Sequence, residues 1–179
     1  RFFNVYGPGQ KENFVISKYI SLASKNKNLK VYGNGNQIRS FCHVDDATDG
    51  VLEIIENGKK NTIYNIGNDS EPITINNLAK SVASIFKNKI YIKKIPYSKS
   101  DRKADREIEK RIPSIAKICK DTNYEPNISL MDGLIRLVEK KELLKNKSFI
   151  NKLGIGTLQF GLKYGIANKE GKLKRSEIN

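Results

Sequence analysis

Along most of this chain, short apolar runs closed by Gly and Asn alternate with amphipathic stretches of helical period. No other feature constrains the fold as strongly. "FFNVYG", "LKVYGNGN", "TIYNIG" and "KIYIKKIP" are compact, β-branched or aromatic, and mostly turn-terminated, which is the pattern of strands. "RSFCHV" alternates more weakly. Between them, "KENFVISKYISLASKNK" sets Val15, Ile16, Tyr19, Ile20 and Ala23 on one helical face. "DDATDGVLEIIENG" predicts a helix with Asp45 or Asp46 as cap, Ala47, Val51, Ile54 and Ile55 as apolar face, and Gly58 as stop. "EPITINNLAKSVASIFK" is the clearest helix, with Thr74 as N-cap and Ile75, Leu78, Ala79, Val82, Ile85 and Phe86 at helical spacing. "IPSIAKICKDTNYEP" predicts a short helix capped at Ser114. "SLMDGLIRLVEKKELLK" predicts one that starts at Ser129 with a Ser-x-x-Asp pairing close to a capping box, burying Leu130, Leu134, Leu137 and Val138. Strands alternating with helices predict an α/β fold with parallel pairing. The charged stretch "YSKSDRKADREIEKR" has no core periodicity and is expected to be a surface loop with a polar role.

A chain of 179 residues has room for one sizeable core. No apolar stretch reaches the roughly 18–20 residues that span a bilayer, and no basic-then-apolar leader opens the chain. Cys42 and Cys119 are far apart, in apolar-patterned segments, without metal or Cys-x-x-Cys spacing. They are expected to be buried free thiols in a reducing, cytoplasmic setting, and no metal site is expected. The net charge of +14 raises the possibility of nucleic-acid binding. However, residues 140–179 carry 10 Lys/Arg against 3 Asp/Glu, and residues 1–139 carry 23 against 16. Half the excess thus lies in the last 40 residues, mostly as Lys scattered among Asn and Ile. With no Arg-rich stripe, solvated faces explain it better than a nucleic-acid partner does.

Four segments in order resemble the C-terminal half of the nucleotide-sugar epimerases and dehydratases of the extended short-chain dehydrogenase/reductase family. "RFFNVYGPGQ" is similar to the strand and turn after that family's catalytic Tyr-x-x-x-Lys helix. "LKVYGNGNQIRSFCHVDDATDGVLEIIE" is similar to its VYG-turn-R-x-F-x-x-V-x-D segment and the helix beyond it. "YNIGNDSEPITINNLAKSV" is similar to its NIG strand, loop and helix, and "EKRIPSIAKICKDTNYEPNISLMDGLIRLVE" to its R-x-P-D-x-S-K-A-K-x-x-L-G-W-x-P ending. The resemblance implies the C-terminal part of a Rossmann-type domain with its substrate-binding subdomain, entered in mid-domain at residue 1. Neither a Tyr-x-x-x-Lys nor a Gly-x-Gly-x-x-Gly occurs here: "GNGN" at 33–36 lacks the spacing, as do the glycines at 154, 156 and 161. No catalytic residue is therefore expected in this chain, and NAD or NADP is expected to be held mainly by upstream residues. A sheet edge left without its upstream partner would make the chain marginally stable by itself.

The resemblance also implies roles for particular residues. Arg39 corresponds to the family arginine on the diphosphate; its other reading is a strand-edge ion pair. Arg111 corresponds to a second such arginine, with Arg106 competing for the role. Asn4 corresponds to the asparagine whose amide meets a phosphate oxygen, against a turn-capping role. Tyr32 sits at a base-flanking position, against ordinary core packing. Phe2 falls where the family chain passes the nicotinamide, although core packing is the stronger expectation. His43 reads as structural. Ser114 stands where the family commonly has Asp, and "DTNYEP" departs mildly from the usual LGWxP.

Composition shifts near residue 145. The expected organisation is residues 1–144 as the substrate-binding part, 145–151 as a linker, and 152–179 as a further segment. "KLGIGTLQFGLKYGIANKEGK" resembles the opening of an aldo-keto reductase. One strand and a loop cannot close a barrel, so an incomplete barrel start or a disordered tail is expected. The implied activity is that of an NAD(P)-dependent nucleotide-sugar epimerase, dehydratase or decarboxylase, which oxidises a sugar hydroxyl by hydride transfer and later returns the hydride. The implied partners are a nucleotide-diphosphate sugar and, at full length, a second copy in a homodimer. Two alternatives accompany this reading: a basic nucleic-acid module, and part of an epimerase/aldo-keto reductase fusion.

Overall fold

The first six residues form the middle of a parallel arrangement. In the computed structural model, which describes residues 1–99 and 107–145, Phe2 bridges Ile66 in parallel. The Phe3 N–H donates to the Ile66 carbonyl at 2.9 Å, and the Ile66 N–H donates to the Arg1 carbonyl at 2.8 Å. Strand β1 (Val5–Tyr6) then pairs on its other side, in parallel, with β4 (Cys42–His43). Between the two pairings Asn4 adopts φ +44°, a left-handed conformation that Asn tolerates better than most residues. "TIYNIG" contributes only the Ile66 bridge, short of the full strand its pattern predicts.

Strand β2 (Leu29–Tyr32) pairs in parallel with β6 (Ile92–Ile95) over all four residues. Strand β3 (Ile38–Arg39) lies between antiparallel β5 (Ile73–Thr74) and parallel β7 (Lys110–Arg111). Parallel partners need long crossovers, and helices supply them: α1 (Val15–Ala23), α2 (Val44–Asn57), α3 (Ile75–Ile85), α4 (Ala116–Asp121) and α5 (Leu130–Lys145). The fold is mixed α/β with parallel pairing. By compactness the chain divides at Glu142/Leu143. The aldo-keto-like segment at 152–179 lies outside the described residues, as does the linker from residue 146.

Two apolar clusters hold the first unit. The larger joins Ile16, Tyr19 and Ile20 of α1, Leu29 and Val31 of β2, Leu78 and Val82 of α3, and Leu134 and Val138 of α5, with Tyr6 and Phe41. The smaller joins Cys42, Ala47, Tyr64, Ile66, Ile115, Ile118 and Tyr124.

Several expectations need correction. His43, not Asp45 or Asp46, is the N-cap of α2: its Nδ1 accepts the Asp45 N–H at 3.2 Å. Strand β4 runs directly into the helix, so the cap position falls on the strand's last residue. Ile55 is 73 % exposed; α2 instead packs Gly50 against Tyr124, where an added Cβ would stand 2.9 Å from the ring. Ser114 does not cap α4. The cap position is Ile115, whose N–H reaches Asp69 Oδ2 at 3.5 Å, while the Ser114 carbonyl accepts from Asn65. Phe2 is 64 % exposed rather than core. Cys119 is exposed and only Cys42 is buried. The charged stretch is not loop to its end, since Lys110–Arg111 form β7. Thr74 does cap α3, accepting the Asn77 N–H at 3.2 Å, and Ser129 and Asp132 bond reciprocally at the start of α5.

One glycine is set by a close approach. A Cβ at Gly133 would sit 2.0 Å from the Tyr6 Oη. Tyr6 is buried edge-on between Phe41 and His43. In a helix interior Gly→Ala ordinarily gains about 1 kcal/mol. Here we expect Gly133→Ala to destabilise by a net ~1–2 kcal/mol because the ring cannot retreat. The Tyr6 hydroxyl is buried without a hydrogen-bond partner among the described residues, so Tyr6→Phe should be nearly neutral and should remove most of the Gly133→Ala cost. A urea-melt double-mutant cycle measures this, and additive costs would refute the contact.

Candidate functional site

A cleft of about 230 Å³ opens where the start of α1, the end of β2, β3 and the start of α3 converge. The turn at residues 33–36 links β2 to β3, and Tyr32 and Arg39 on either side of it line the same opening. Gly33 and Gly35 take φ of +67° and +73° in that turn, conformations that cost glycine little.

Arg39 is the most strongly held charge in the cleft. Its side chain is 13 % exposed. Nη1 donates to the Ile38 carbonyl at 2.8 Å and to the Glu109 carbonyl at 3.4 Å, and Nη2 donates to Glu107 Oε1 at 2.8 Å. A charge taken this far from water needs partners, and these hold the guanidinium against β7 and the segment leading into it. Lys18 and Lys30 line the same cleft, so three cations face one carboxylate. The Lys18 ammonium lies 5.6 Å from the centroid of the Tyr32 ring, a cation–π distance. The exposed side chain of Phe14 also lines the cleft. Asn4 also lines the cleft, while its Nδ2 donates to the Ser40 carbonyl at 2.8 Å; the amide thus ties β1 to the link between β3 and β4.

The structure brings Asn4, Tyr32 and Arg39 together in one cleft. Arg111 is register-paired with Arg39 on the neighbouring strand, but it is exposed and does not line the cleft. Phe2 is elsewhere, bridged to Ile66. Arg106 lies outside the described residues. Sequence reading missed Phe14, Lys18, Gln37 and Glu107. Gln37, which immediately precedes β3, had only its nearness in sequence to the candidate Arg39 as a signal. Glu107 had none, because its pairing spans 68 residues.

The chemistry available is that of an anion and flat-ring binder. Neither thiol, Cys42 nor Cys119, is activated as a nucleophile, since burial raises both. Burial, with a contribution from Asp46 opposed by the Tyr124 hydrogen bond, pushes the Cys42 thiol up to about 11. Burial also raises the Tyr6 and Tyr124 hydroxyls. These groups ionise in the unfolded chain before they do so in the native state, so the unfolded state binds fewer protons in that interval. Stability should therefore be at its full value below about pH 9 and fall as pH rises from 9 towards 11. Urea midpoints across pH 7.5–11 measure this, and a flat profile would refute it. Among the described residues no group of three His, Cys, Asp or Glu could hold a metal ion, and no helix is long and apolar enough to cross a membrane. A wider groove of about 630 Å³ is bordered by Asp69, Glu125 and Cys119; its carboxylates make it a poor site for phosphate.

Residues 1–67 match the NAD dependent epimerase/dehydratase family. The chain is 30% identical over 142 residues to UDP-N-acetyl-alpha-D-glucosaminuronate decarboxylase of Bacillus cytotoxicus, covering 78% of this chain and 44% of that protein. It is 34% identical over 140 residues to UDP-glucuronic acid decarboxylase 1 of Arabidopsis thaliana, covering 77% of this chain and 30% of that protein. Its fold is similar to UDP-glucuronic acid 4-epimerase of Bacillus cereus, a Y149F mutant solved with UDP-4-deoxy-4-fluoro-glucuronic acid and NAD. The TM-score is 0.70 at 27% identity, over 80% of this chain and 44% of that one. The chain spans less than half the length of these relatives. Ordered motifs, a Rossmann-type parallel architecture and these similarities converge, and the chain belongs to the NAD-dependent epimerase/dehydratase family of extended short-chain dehydrogenase/reductases.

Proposed function

We propose that this chain supplies the nucleotide-sugar-binding part of an NAD(P)-dependent nucleotide-sugar epimerase, dehydratase or decarboxylase. The observation that carries the reading is the cleft that gathers Asn4, Tyr32 and Arg39. Recognition of a nucleoside diphosphate needs a cationic fork for the phosphates and an aromatic face for the base, and Arg39 and Tyr32 offer these. On this reading the diphosphate takes the place of Glu107 at the guanidinium, Lys18 and Lys30 add positive field, and the nucleotide's base lies toward Tyr32. Arg111, register-paired with Arg39 on β7, is the candidate for a second arginine toward the phosphates, with Arg106 competing for that one role.

The relatives named above for UDP-sugars and the neighbour solved with NAD support the substrate class and the cofactor. The described residues do not form a dinucleotide cradle. Gly7 and Gly9 follow β1, but Glu12 stands where a third glycine would be needed, and α1 begins only at Val15. Hydride chemistry would come from the dinucleotide when bound, and holding it falls to portions of the relatives that this chain does not span. The residues here bind and orient the nucleotide end of the substrate, so that binding energy remote from the reacting carbon is available for catalysis.

The test is thermal unfolding of the 179-residue chain with UDP, dTDP, GDP and CDP, and with a single-stranded oligonucleotide at low salt. A ligand at a hundred times its dissociation constant stabilises by about 2.7 kcal/mol. Selective stabilisation by a nucleoside diphosphate is expected. Stabilisation by the oligonucleotide alone, with a steep salt dependence, would replace this reading with a basic nucleic-acid module.

A further inference from the structure

The chain contains two Asn-Gly pairs, Asn34–Gly35 and Asn57–Gly58, and the fold treats them in opposite ways. Asn57 ends α2. The Gly58 N–H donates to the Ile54 carbonyl at 2.9 Å, and Asn57 Nδ2 donates to Glu53 Oε2 at 3.0 Å. A reaction between that side-chain amide and the nitrogen that follows it would have to free both groups first. Asn34, by contrast, is exposed in the turn between β2 and β3. Neither its Nδ2 nor the Gly35 N–H has a hydrogen-bond partner among the described residues. Its Oδ1 accepts the Asn36 N–H at 2.9 Å. That bond closes a ring of atoms that includes both the Asn34 Cγ and the Gly35 nitrogen, so an electrophile and a nucleophile are confined to one small loop.

We propose that Asn34 is a site of spontaneous modification, where attack by the Gly35 nitrogen converts the residue to aspartate and isoaspartate. In the first step a bond forms between the Gly35 nitrogen and the Asn34 Cγ. Hydroxide takes the Gly35 N–H proton, and Nδ2 leaves as ammonia after taking a proton back from water. Water then opens the cyclic imide. Opening at Cγ gives aspartate, and opening at the main-chain carbonyl gives isoaspartate. Three features favour the attack. Glycine has no side chain to shield its nitrogen. Holding the reacting atoms in one ring replaces an encounter between them. The Asn36 N–H already rests on the oxygen where negative charge builds, the placement of an oxyanion donor. The product disturbs the turn. The Asn34 carbonyl accepts Asn76 Nδ2 at 2.8 Å, and the Gly35 carbonyl accepts the Asn76 N–H at 3.0 Å, which ties the turn to the start of α3. Isoaspartate reroutes the main chain through Cβ and Cγ and leaves the Asn34 carbonyl as a side carboxylate, so this pair of bonds is not preserved.

The experiment is incubation of the 179-residue chain in mildly alkaline buffer, with peptide mapping by mass spectrometry and chromatographic separation of the aspartate and isoaspartate products. In the native chain Asn34 should convert on the order of tenfold faster than Asn57, which must first give up its helical hydrogen bonds. Unfolding in urea should accelerate Asn57 on the order of tenfold and leave Asn34 no faster. Equal native rates at the two sites, or an Asn34 that reacts only after unfolding, would overturn the assignment. Chain converted to isoaspartate at residue 34 should melt roughly 4–8 °C lower, the loss of two hydrogen bonds. Asn34→Gln, whose longer side chain disfavours the ring closure, should show no such drift on incubation. An unchanged melting temperature after conversion would overturn the link to α3. The wild-type arms decide the matter even if the variant does not fold, and none of them depends on nucleotide binding.

Discussion

Arg39→Ala is expected to weaken UDP binding by on the order of a hundredfold, the cost of two charge-assisted hydrogen bonds at about 1.5 kcal/mol each. The side chain is well suited to such an effect. It lies mostly buried on the cleft wall, its Nη1 already anchored on the Ile38 carbonyl at 2.8 Å, so little rotamer entropy remains to be lost on binding. The arm held by Glu107 is the one a diphosphate would engage. Arg39→Lys keeps the charge but not the planar fork, and should lose on the order of tenfold. Because Arg39 also fixes Glu107, ligand-free melting temperatures of each variant separate a folding defect from a binding defect. UDP affinity equal to wild type in Arg39→Ala would refute the diphosphate role and leave the ion pair as a strand-edge feature.

Asp46→Ala is expected to destabilise the fold by about 3 kcal/mol without touching the cleft. The Asp46 carboxylate is 4 % exposed. It accepts the Asn127 N–H at 3.1 Å on Oδ1 and the Ile128 N–H at 3.2 Å on Oδ2. Hydrogen bonds to a charged acceptor contribute about 1.5–3 kcal/mol each, and both amides would be stranded next to the apolar start of α5. Asp46→Asn keeps one acceptor and should cost about half as much. The denaturation midpoint in urea should fall with the slope unchanged, and UDP binding by the folded fraction should match wild type. A stability loss under 1 kcal/mol would show that the 124–128 segment is held by other means.

Asp46 also illustrates the limit of local reading. At the start of a helix, Asp45 and Asp46 look alike, and either would serve as a cap. Capping is a matter of i to i+3 geometry, and where the geometry is local the reading was sound: Thr74 and Ser129 cap their helices as the spacing predicts. At α2 the preceding strand moved the boundary by two residues and gave the cap to His43. What distinguishes Asp46 from Asp45 is a segment 81 residues farther along, which nothing in the local pattern can reveal. Ile55 and Phe2 mislead for the same reason: an apolar residue reports that it can be buried, and only the neighbouring elements decide whether it is.

By itself, the sequence determined the α/β class, the helices, the two reciprocal or single-residue caps that held, and the candidate trio Asn4, Tyr32 and Arg39. Each depends on periodicity, on short-range hydrogen bonding, or on motifs read in order. Tertiary structure alone decided that this trio shares one cleft while Arg111 stands beside it, that Glu107 occupies Arg39, and that Gln37 is buried against the Tyr97 hydroxyl. Those outcomes depend on pairings between residues 60 or more apart, where chain connectivity imposes no spacing and only packing of the whole unit selects the partner.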